Sequence, residues 1–313
     1  MAQPMLHGME IVEEIEGSGG LGGVARMTEV IAALETRRTE LIEQLRSQRL
    51  ASWEEIGQAC GMTRQGASRR WSQQAQATSF GDAAAAYRRG RPPYPSSAVD
   101  WLVPSTAKSV LDLGAGTGKL TQLLAAREGL AVTAVEPLPA MREELVATVP
   151  SADVRDGSAE TIPLGNKAVD AVVVAQAWHW FDAATALPEI ARVLTPGGTL
   201  GLVWNIRDHR VPWVAELDRV LHRHTRQEID TAPSIGTPFH EVERLDVRWE
   251  HALTRPELLD LVASRSYVIT MAAKDRDELM HQVGELLDSH LDLRGRKNLT
   301  MPYITRCTRA RLS

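Results

Sequence analysis

Asp112 and Glu136 are carboxylates at the ends of two apolar runs, and the first of them leads directly into glycines. The stretch Ser109 to Leu120, SVLDLGAGTGKL, reads as a strand, a glycine loop and the start of a helix. Loops of this shape hold nucleotides by aiming backbone N–H groups and a helix N-terminus at the ligand. A nucleoside triphosphate loop needs G-x-x-x-x-G-K followed by Ser or Thr. Here Leu113 stands five residues before Gly118 and Leu120 follows Lys119, so that pattern fails at both ends. A dinucleotide loop needs G-x-G-x-x-G, and Gly114, Gly116 and Gly118 bring the third glycine one residue early. Asp112 would also repel a pyrophosphate, whereas it suits a ligand that carries an ammonium and a sulfonium. Glu136 falls where a carboxylate can accept both hydroxyls of a ribose, a feature shared with dinucleotide sites. Together the two acids favour S-adenosylmethionine.

Positioning two carboxylates in this way takes a layered scaffold. Beyond about Phe80, apolar runs alternate with helical segments. The strand candidates are SVLDLG, AVTAVE, ADVRD, VDAVVVA and GTLGLVW, with helices near Lys119 to Arg127, Pro139 to Val149 and Ala183 to Leu194. Such alternation implies an α/β domain whose mostly parallel sheet has helices on both faces. The tail departs from it: RLDVRWEHAL, helices around Pro256 to Ser264 and Asp275 to Leu291, then LTMPYITRCTRARL. That order predicts a sheet finished by an antiparallel edge strand.

The front of the chain is different. Residues 1–26 are acidic and glycine-rich, lack the basic flank and apolar core of a signal peptide, and read as a disordered leader. From Met27 to about Gln48, Val30, Ile31, Leu34, Leu41, Ile42 and Leu45 recur at helical spacing. Ser52 and Glu55 form a capping-box pattern, with Ile56, Ala59 and Cys60 on the buried side of the helix they start. Gly61 supplies a tight turn and Thr63 caps a second helix ending near Trp71, which predicts a small all-α helix-turn-helix-like domain over 27–74. Residues 75–95 read as a linker and a cover for the ligand, and 96–313 as the main domain.

The successive segments LDLGAGTGKL, AVEPLPAMREEL, DGSAETIPL, DAVVVAQAWHWF and ARVLTPGGTLGLVWN resemble, in order and spacing, the motifs of a class I S-adenosylmethionine-dependent methyltransferase. The likeness runs from about Phe80 to Leu312. YRRGRPPYP and AWHWFD are similar to the small-molecule branch that includes trans-aconitate methyltransferase. The resemblance implies a Rossmann-like fold in which Asp112, Gly114, Ala115 and Gly116 frame the methionine and ribose. By the same token Glu136, with Pro137 after it, takes the ribose hydroxyls, and Ser158 and Ala159 border the adenine. The family often has Asp where Ser158 stands. Gln176 and Ala177 would lie near the methionine end, and Tyr87 and Arg91 would close over the ligand, Arg91 pairing with its carboxylate.

Methyl transfer from a sulfonium is an in-line displacement on an activated carbon, so alignment and exclusion of water matter most. A carboxylate acceptor is already ionised, whereas a phenol, amine or carbon acceptor needs a base. His179 is the catalytic candidate, with Trp178 and Trp180 beside it; packing in the core is the competing reading, and His209 is a weaker second. The Asn/Asp-Pro-Pro-aromatic element of amino-methylating nucleic-acid enzymes is absent after the fourth strand, as are the paired glutamates of arginine methylation. Neither Cys60 nor Cys307 is placed as the nucleophile that carbon-5 methylation of cytosine requires. A small-molecule acceptor, carboxylate or hydroxyl, remains, and no metal site is expected.

A net charge of -5 argues against a chain coated for nucleic acid. Residues 63–71 nevertheless carry Arg64, Gln65, Ser68, Arg69 and Arg70, a set able to contact DNA. Glu35, Glu40, Glu43, Glu54 and Glu55 bring the module close to neutral, and docking or homodimer formation competes with DNA contact. A DNA-binding regulator that senses S-adenosylmethionine without turnover is the alternative to an enzyme. Two cysteines and no membrane-length apolar run suggest a cytoplasmic protein with no membrane contact.

Overall fold

The computed structural model describes residues 20–47, 50–62, 91–222, 231, 233, 235–265, 268 and 271–313. Contacts divide the chain into two units, Met1–Ala75 and Gln76–Ser313.

In the first unit, helix α1 spans Gly20–Ser47. Residues 20–26, expected in a disordered leader, are helical. Once a helix is nucleated each further residue adds a hydrogen bond, and the Thr28 hydroxyl donates to the Val24 carbonyl at 2.9 Å. Helix α2, Trp53–Ala59, opens with the expected capping box: Glu55 N–H donates to Ser52 Oγ, and the Ser52 N–H donates to Glu55 Oε2 at 2.7 Å. Ile56 is buried against Ile42, with Cys60 and Met62 packed alongside. Ala59 is exposed rather than buried, because Gly57 and Ile56 take the inward positions of so short a helix. The helix expected from Thr63 to Trp71 and Tyr87 in the linker lie outside the described residues.

In the second unit, apolar alternation assigns each strand residue to one face or the other. The strands are β1 (Ser109–Leu113), β2 (Ala131–Val135), β3 (Asp153–Arg155), β4 (Val169–Ala175), β5 (Leu194–Arg207), β6 (Phe239–Thr254) and β7 (Asn298–Leu312). They form one sheet in the order β3-β2-β1-β4-β5-β7-β6. Leu111, Leu113, Val172, Val174, Leu200 and Leu202 face one way, onto Ile190 of α6 (Ala183–Val193). Val110, Ala171, Val173 and Val203 face the other, onto Leu102 of α3 (Ser96–Leu102) and Leu124 of α4 (Lys119–Ala125). Helix α5 (Pro139–Thr148) covers the β2 side through Leu145.

The antiparallel strand is not at the edge. β7 runs antiparallel to both β5 and β6 and lies between them, so β6 forms the rim. The physical reason lies in the side chains. β7 buries Leu299, Met301, Tyr303, Thr305, Cys307, Thr308 and Ala310, whereas β6 exposes Glu241, Glu243, Asp246 and Glu250. A charged strand is suited to an unpaired edge. Arg306 meets Asp246 at 3.1 Å and Arg311 meets Glu241 at 3.6 Å across the pair.

Sequence patterning did not anticipate α7 (Pro212–His222), whose Trp213, Val214, Leu217 and Leu221 are buried. With α8 (Arg255–Ala263) and α9 (Ala273–Ser289) it packs on the ends of β6 and β7 around Leu258, Leu279, Val283, Met301 and Tyr303. No helix among the described residues is long and apolar enough to cross a membrane.

Leu202 lies on the inner strand β5, fully buried. Leu202→Ala should lower unfolding free energy by about 2–5 kcal/mol. Val146→Ala, at a position 52% exposed, should cost within about 0.5 kcal/mol. Urea unfolding of both variants checks the contrast.

Candidate functional site

Adjacent parallel strands β1 and β2 carry Asp112 and Glu136 to the same rim of the sheet. Between them the chain makes its glycine turn. Gly114, Gly116 and Gly118 have φ of 72°, 58° and 87°, a region that glycine enters without steric cost. Gly114 is also needed for space, since a Cβ there would lie 2.8 Å from Ala177 Cβ and 3.2 Å from Phe181 Cζ. At Gly116 a Cβ would meet nothing within 4 Å, so the turn faces open space there.

This turn directs one amide, that of Gly116, at Glu136, and a second donor follows β2. Gly116 N–H donates to Glu136 Oε2 at 2.9 Å, and Leu138 N–H donates to Oε1 at 3.0 Å. Burial pushes the Glu136 carboxyl up, and the amides of Leu138 and Gly116 and the Arg142 charge oppose that rise. Asp112 is fully buried and accepts one bond, from the Thr121 hydroxyl of α4 at 2.6 Å. Its Oδ1 has no hydrogen-bond partner among the described residues. Burial, opposed by Thr121 and assisted by the Glu136 charge, raises the Asp112 carboxyl to about 7. An ionised Asp112 is therefore uncompensated, and a cation seated in the turn would relieve it. The two acids and the open face at Gly116 fit S-adenosylmethionine; a pyrophosphate would meet repulsion from both.

The other expected residues cluster around the same rim. Gln176 follows β4 with φ of 55°, an uncommon conformation for a non-glycine residue, and its N–H donates to Val203 O at 2.9 Å. Strain of this kind gathers at functional sites. Ala177 is buried and leads into a single 3-10 turn, Trp178–Trp180. Ala159 is buried, and Ser158 Oγ accepts the Glu160 N–H at 3.3 Å. Pro137 is exposed just beyond Glu136.

His179 stands in that turn with its ring 4.6 Å from the ring of Trp180. Burial, with the Arg91 charge adding to it, lowers the imidazole to about 4. It is neutral at pH 7, and its buried Nδ1 has no hydrogen-bond partner among the described residues. His209 lies past the end of β5, half exposed, with Nδ1 2.6 Å from Asp218 Oδ2. Asp218 in turn pairs with Arg207, and both of these are buried.

Arg91 lines a small cleft together with Pro93, Lys119, His251, Leu253, Glu257 and Leu261. Lys119 opens α4 immediately after the glycine turn and so joins cleft and loop. Burial lowers the His251 imidazole, with Glu257 raising it and Lys119 lowering it. Sequence motifs did not reveal Thr121, His251, Glu257 or Asp218. Thr121 was within reach, one turn into the helix that follows the loop; the others converge from remote segments.

A methyltransferase-domain family model matches residues 111–202. An uncharacterized methyltransferase of Mycobacterium tuberculosis is 52% identical over 235 residues, covering 75% of this chain and 96% of its own. An uncharacterized methyltransferase-like protein of Schizosaccharomyces pombe is 34% identical over 214 residues, 64% of this chain and 82% of its own. Among solved structures, one from Anaeromyxobacter dehalogenans described as a type II methyltransferase aligns with a TM-score of 0.57. It is 24% identical and covers 71% of this chain and 97% of that one, a likeness of fold.

The raised Asp112 pKa has a consequence for stability. It lies above the ordinary value of 3.8, so its stabilisation is complete below about pH 4 and is lost as pH rises through about 7. Asp112→Asn removes this titration. Between pH 4 and pH 8 the melting temperature of the ligand-free protein should fall relative to that of Asp112→Asn. Parallel melting curves across that range would show that Asp112 ionises as it does in water.

Proposed function

This chain belongs to the class I S-adenosylmethionine-dependent methyltransferases, and from that membership we propose that it methylates a small molecule bearing a carboxylate or a hydroxyl. Of the two, a carboxylate is favoured, in line with the small-molecule branch resembled by AWHWFD. The observation that carries this choice is the neutral state of His179. An imidazole lowered to about 4 is too weak a base to take the proton of a phenol, while a carboxylate has no proton to lose. Lys119 along the cleft supplies positive charge for such a group.

In this reading each residue has a defined task. Bound S-adenosylmethionine supplies a methyl group already activated on its sulfonium. Asp112 balances the ligand's positive charge, with Gly114, Ala115 and Gly116 shaping the turn around it. Glu136 accepts the ribose hydroxyls with lone pairs that its two amide donors leave available, and Pro137 follows it at the ribose edge. Ser158 and Ala159 border the adenine, and Gln176 and Ala177 the methionine end. Tyr87 and Arg91 close over the ligand. His179 donates or accepts a hydrogen bond that orients the acceptor, and Trp178 and Trp180 wall its pocket. Alignment for in-line attack then accounts for most of the acceleration.

The front unit is read as a helix-turn-helix-like module over 27–74, joined by residues 75–95 to the methyltransferase domain of 96–313. DNA contact through residues 63–71, resting on Arg64, Gln65, Ser68, Arg69 and Arg70, competes there with docking and with plain packing. The free thiols Cys60 and Cys307 suit a reducing cytoplasm.

Incubation with labelled S-adenosylmethionine and a panel of carboxylic acids and phenols should release S-adenosylhomocysteine with a carboxylate acceptor. His179→Ala should raise the KM for that acceptor at least tenfold and leave cofactor affinity unchanged. Glu136→Ala should weaken the cofactor at least tenfold, since a hydrogen bond to a charged group contributes about 1.5–3 kcal/mol. Tight cofactor binding with no turnover on any acceptor would instead support a ligand-sensing regulator.

A further inference from the structure

Helix α1 carries an apolar seam that the other described residues of its unit do not cover. Because the helix begins at Gly20, Val24 and Met27 join Ile31, Leu34 and Leu41 on a single line. These five side chains are between 45% and 65% exposed. Their spacing runs three, four, three and then seven residues, the last gap bridged by Arg38. Written as heptads, Val24, Ile31, Arg38 and Leu45 take the a positions, and Met27, Leu34 and Leu41 take the d positions. The 28 residues of the helix make four heptads, a length of about 42 Å at 1.5 Å per residue.

Three features narrow down what covers this seam. A line of a and d residues from Val24 to Leu45, just over three heptads and apolar except at Arg38, is the pattern of a coiled coil rather than of a globular core face, which needs a wider stripe. β-branched residues at two a positions, with Leu at two d positions, favour two parallel strands. Arg38 is the single charged residue on the seam, and a lone polar a residue fixes register and limits the assembly to a pair. The neighbouring e position, Ile42, is buried against Ile56. The unit's own core therefore uses the flank of α1 and leaves the seam turned outward. An apolar strip this long on a surface marks an interaction site.

We propose that α1 pairs with α1 of a second copy of this chain as a parallel, in-register two-stranded coiled coil. The proposal is independent of the methyl-transfer chemistry, because the seam shares no residue with the rim of the sheet. Self-complementarity selects the partner: each d residue meets its own counterpart, as a two-fold interface requires.

Sedimentation velocity on the full chain at micromolar concentration should show a dimer. Leu34→Glu should weaken association at least a hundredfold while cofactor affinity stays unchanged. Arg38→Ile should tighten association at least tenfold, a gain that an unfolded α1 cannot produce. For the orientation, Met27→Cys should form an intermolecular disulfide on mild oxidation, above the background from Cys60 and Cys307. Cysteines at facing d positions are close enough to bridge. A chain that stays monomeric would overturn the proposal and show that other parts of the chain cover the seam. A dimer that both Leu34→Glu and Arg38→Ile leave unaltered would overturn it too. So would Met27→Cys bridging only to a Leu41→Cys partner, the signature of antiparallel pairing.

Discussion

Two carboxylates buried side by side at the ends of neighbouring strands are the constraint on which the rest of the second unit depends. Desolvation raises both Asp112 and Glu136, and the charge on Glu136 raises Asp112 further. Such a pair survives only where the surroundings supply donors and hold the backbone still. The first need is met by the Gly116 amide of the glycine turn, by the Leu138 amide two residues past Glu136 and by the Thr121 hydroxyl of α4. The second is met by a sheet packed on both faces, with Leu111 and Leu113 on one side and Val110 on the other, all fully buried. Asp112 remains the incompletely satisfied member. That deficit favours a cationic ligand and costs stability in its absence.

The β5–β7–β6 side of the sheet follows different rules. β5 runs past the end of β4, from Val203, the partner of Ala175, on to Arg207. Together with β7 and β6 it builds a wall that α7, α8 and α9 brace from Trp213 to Leu299. On this wall the charged groups are partnered rather than strained. Arg207 pairs with Asp218, which also holds His209, while the Trp249 indole donates to Thr305 Oγ1 at 2.7 Å. His179 lies on the 3-10 turn that follows β4.

Local chemistry was legible in the sequence wherever a residue's role depended on its immediate neighbours. SVLDLGAGTGKL gave up its strand, turn and helix because glycine at positive φ and apolar alternation are local signals. The same is true of the Ser52–Glu55 capping box and of β2 through β4. Placement across the sheet was not legible. LTMPYITRCTRARL reads as a terminal strand, yet its apolar and hydroxyl side chains on both faces suit an inner position, and the charged β6 takes the rim. His251 and Glu257 meet Lys119 across more than a hundred residues, and no spacing rule reaches that far. Residues 20–26 look like a disordered leader by composition, since glycines surround the Val24 that extends the seam of α1. Expectations for Thr63 to Trp71 and for Tyr87 rest on sequence alone.

The state of Asp112 is open to direct measurement by calorimetry. S-adenosylmethionine would be titrated into the protein at pH 7 in buffers of differing ionisation enthalpy, which counts the protons exchanged on binding. With the carboxyl near 7 before binding and ionised beside a cation afterwards, about half a proton should be released per ligand, and Asp112→Asn should abolish the release. Binding with no proton release in the wild type, or release that persists unchanged in Asp112→Asn, would contradict the role assigned to the buried carboxylate.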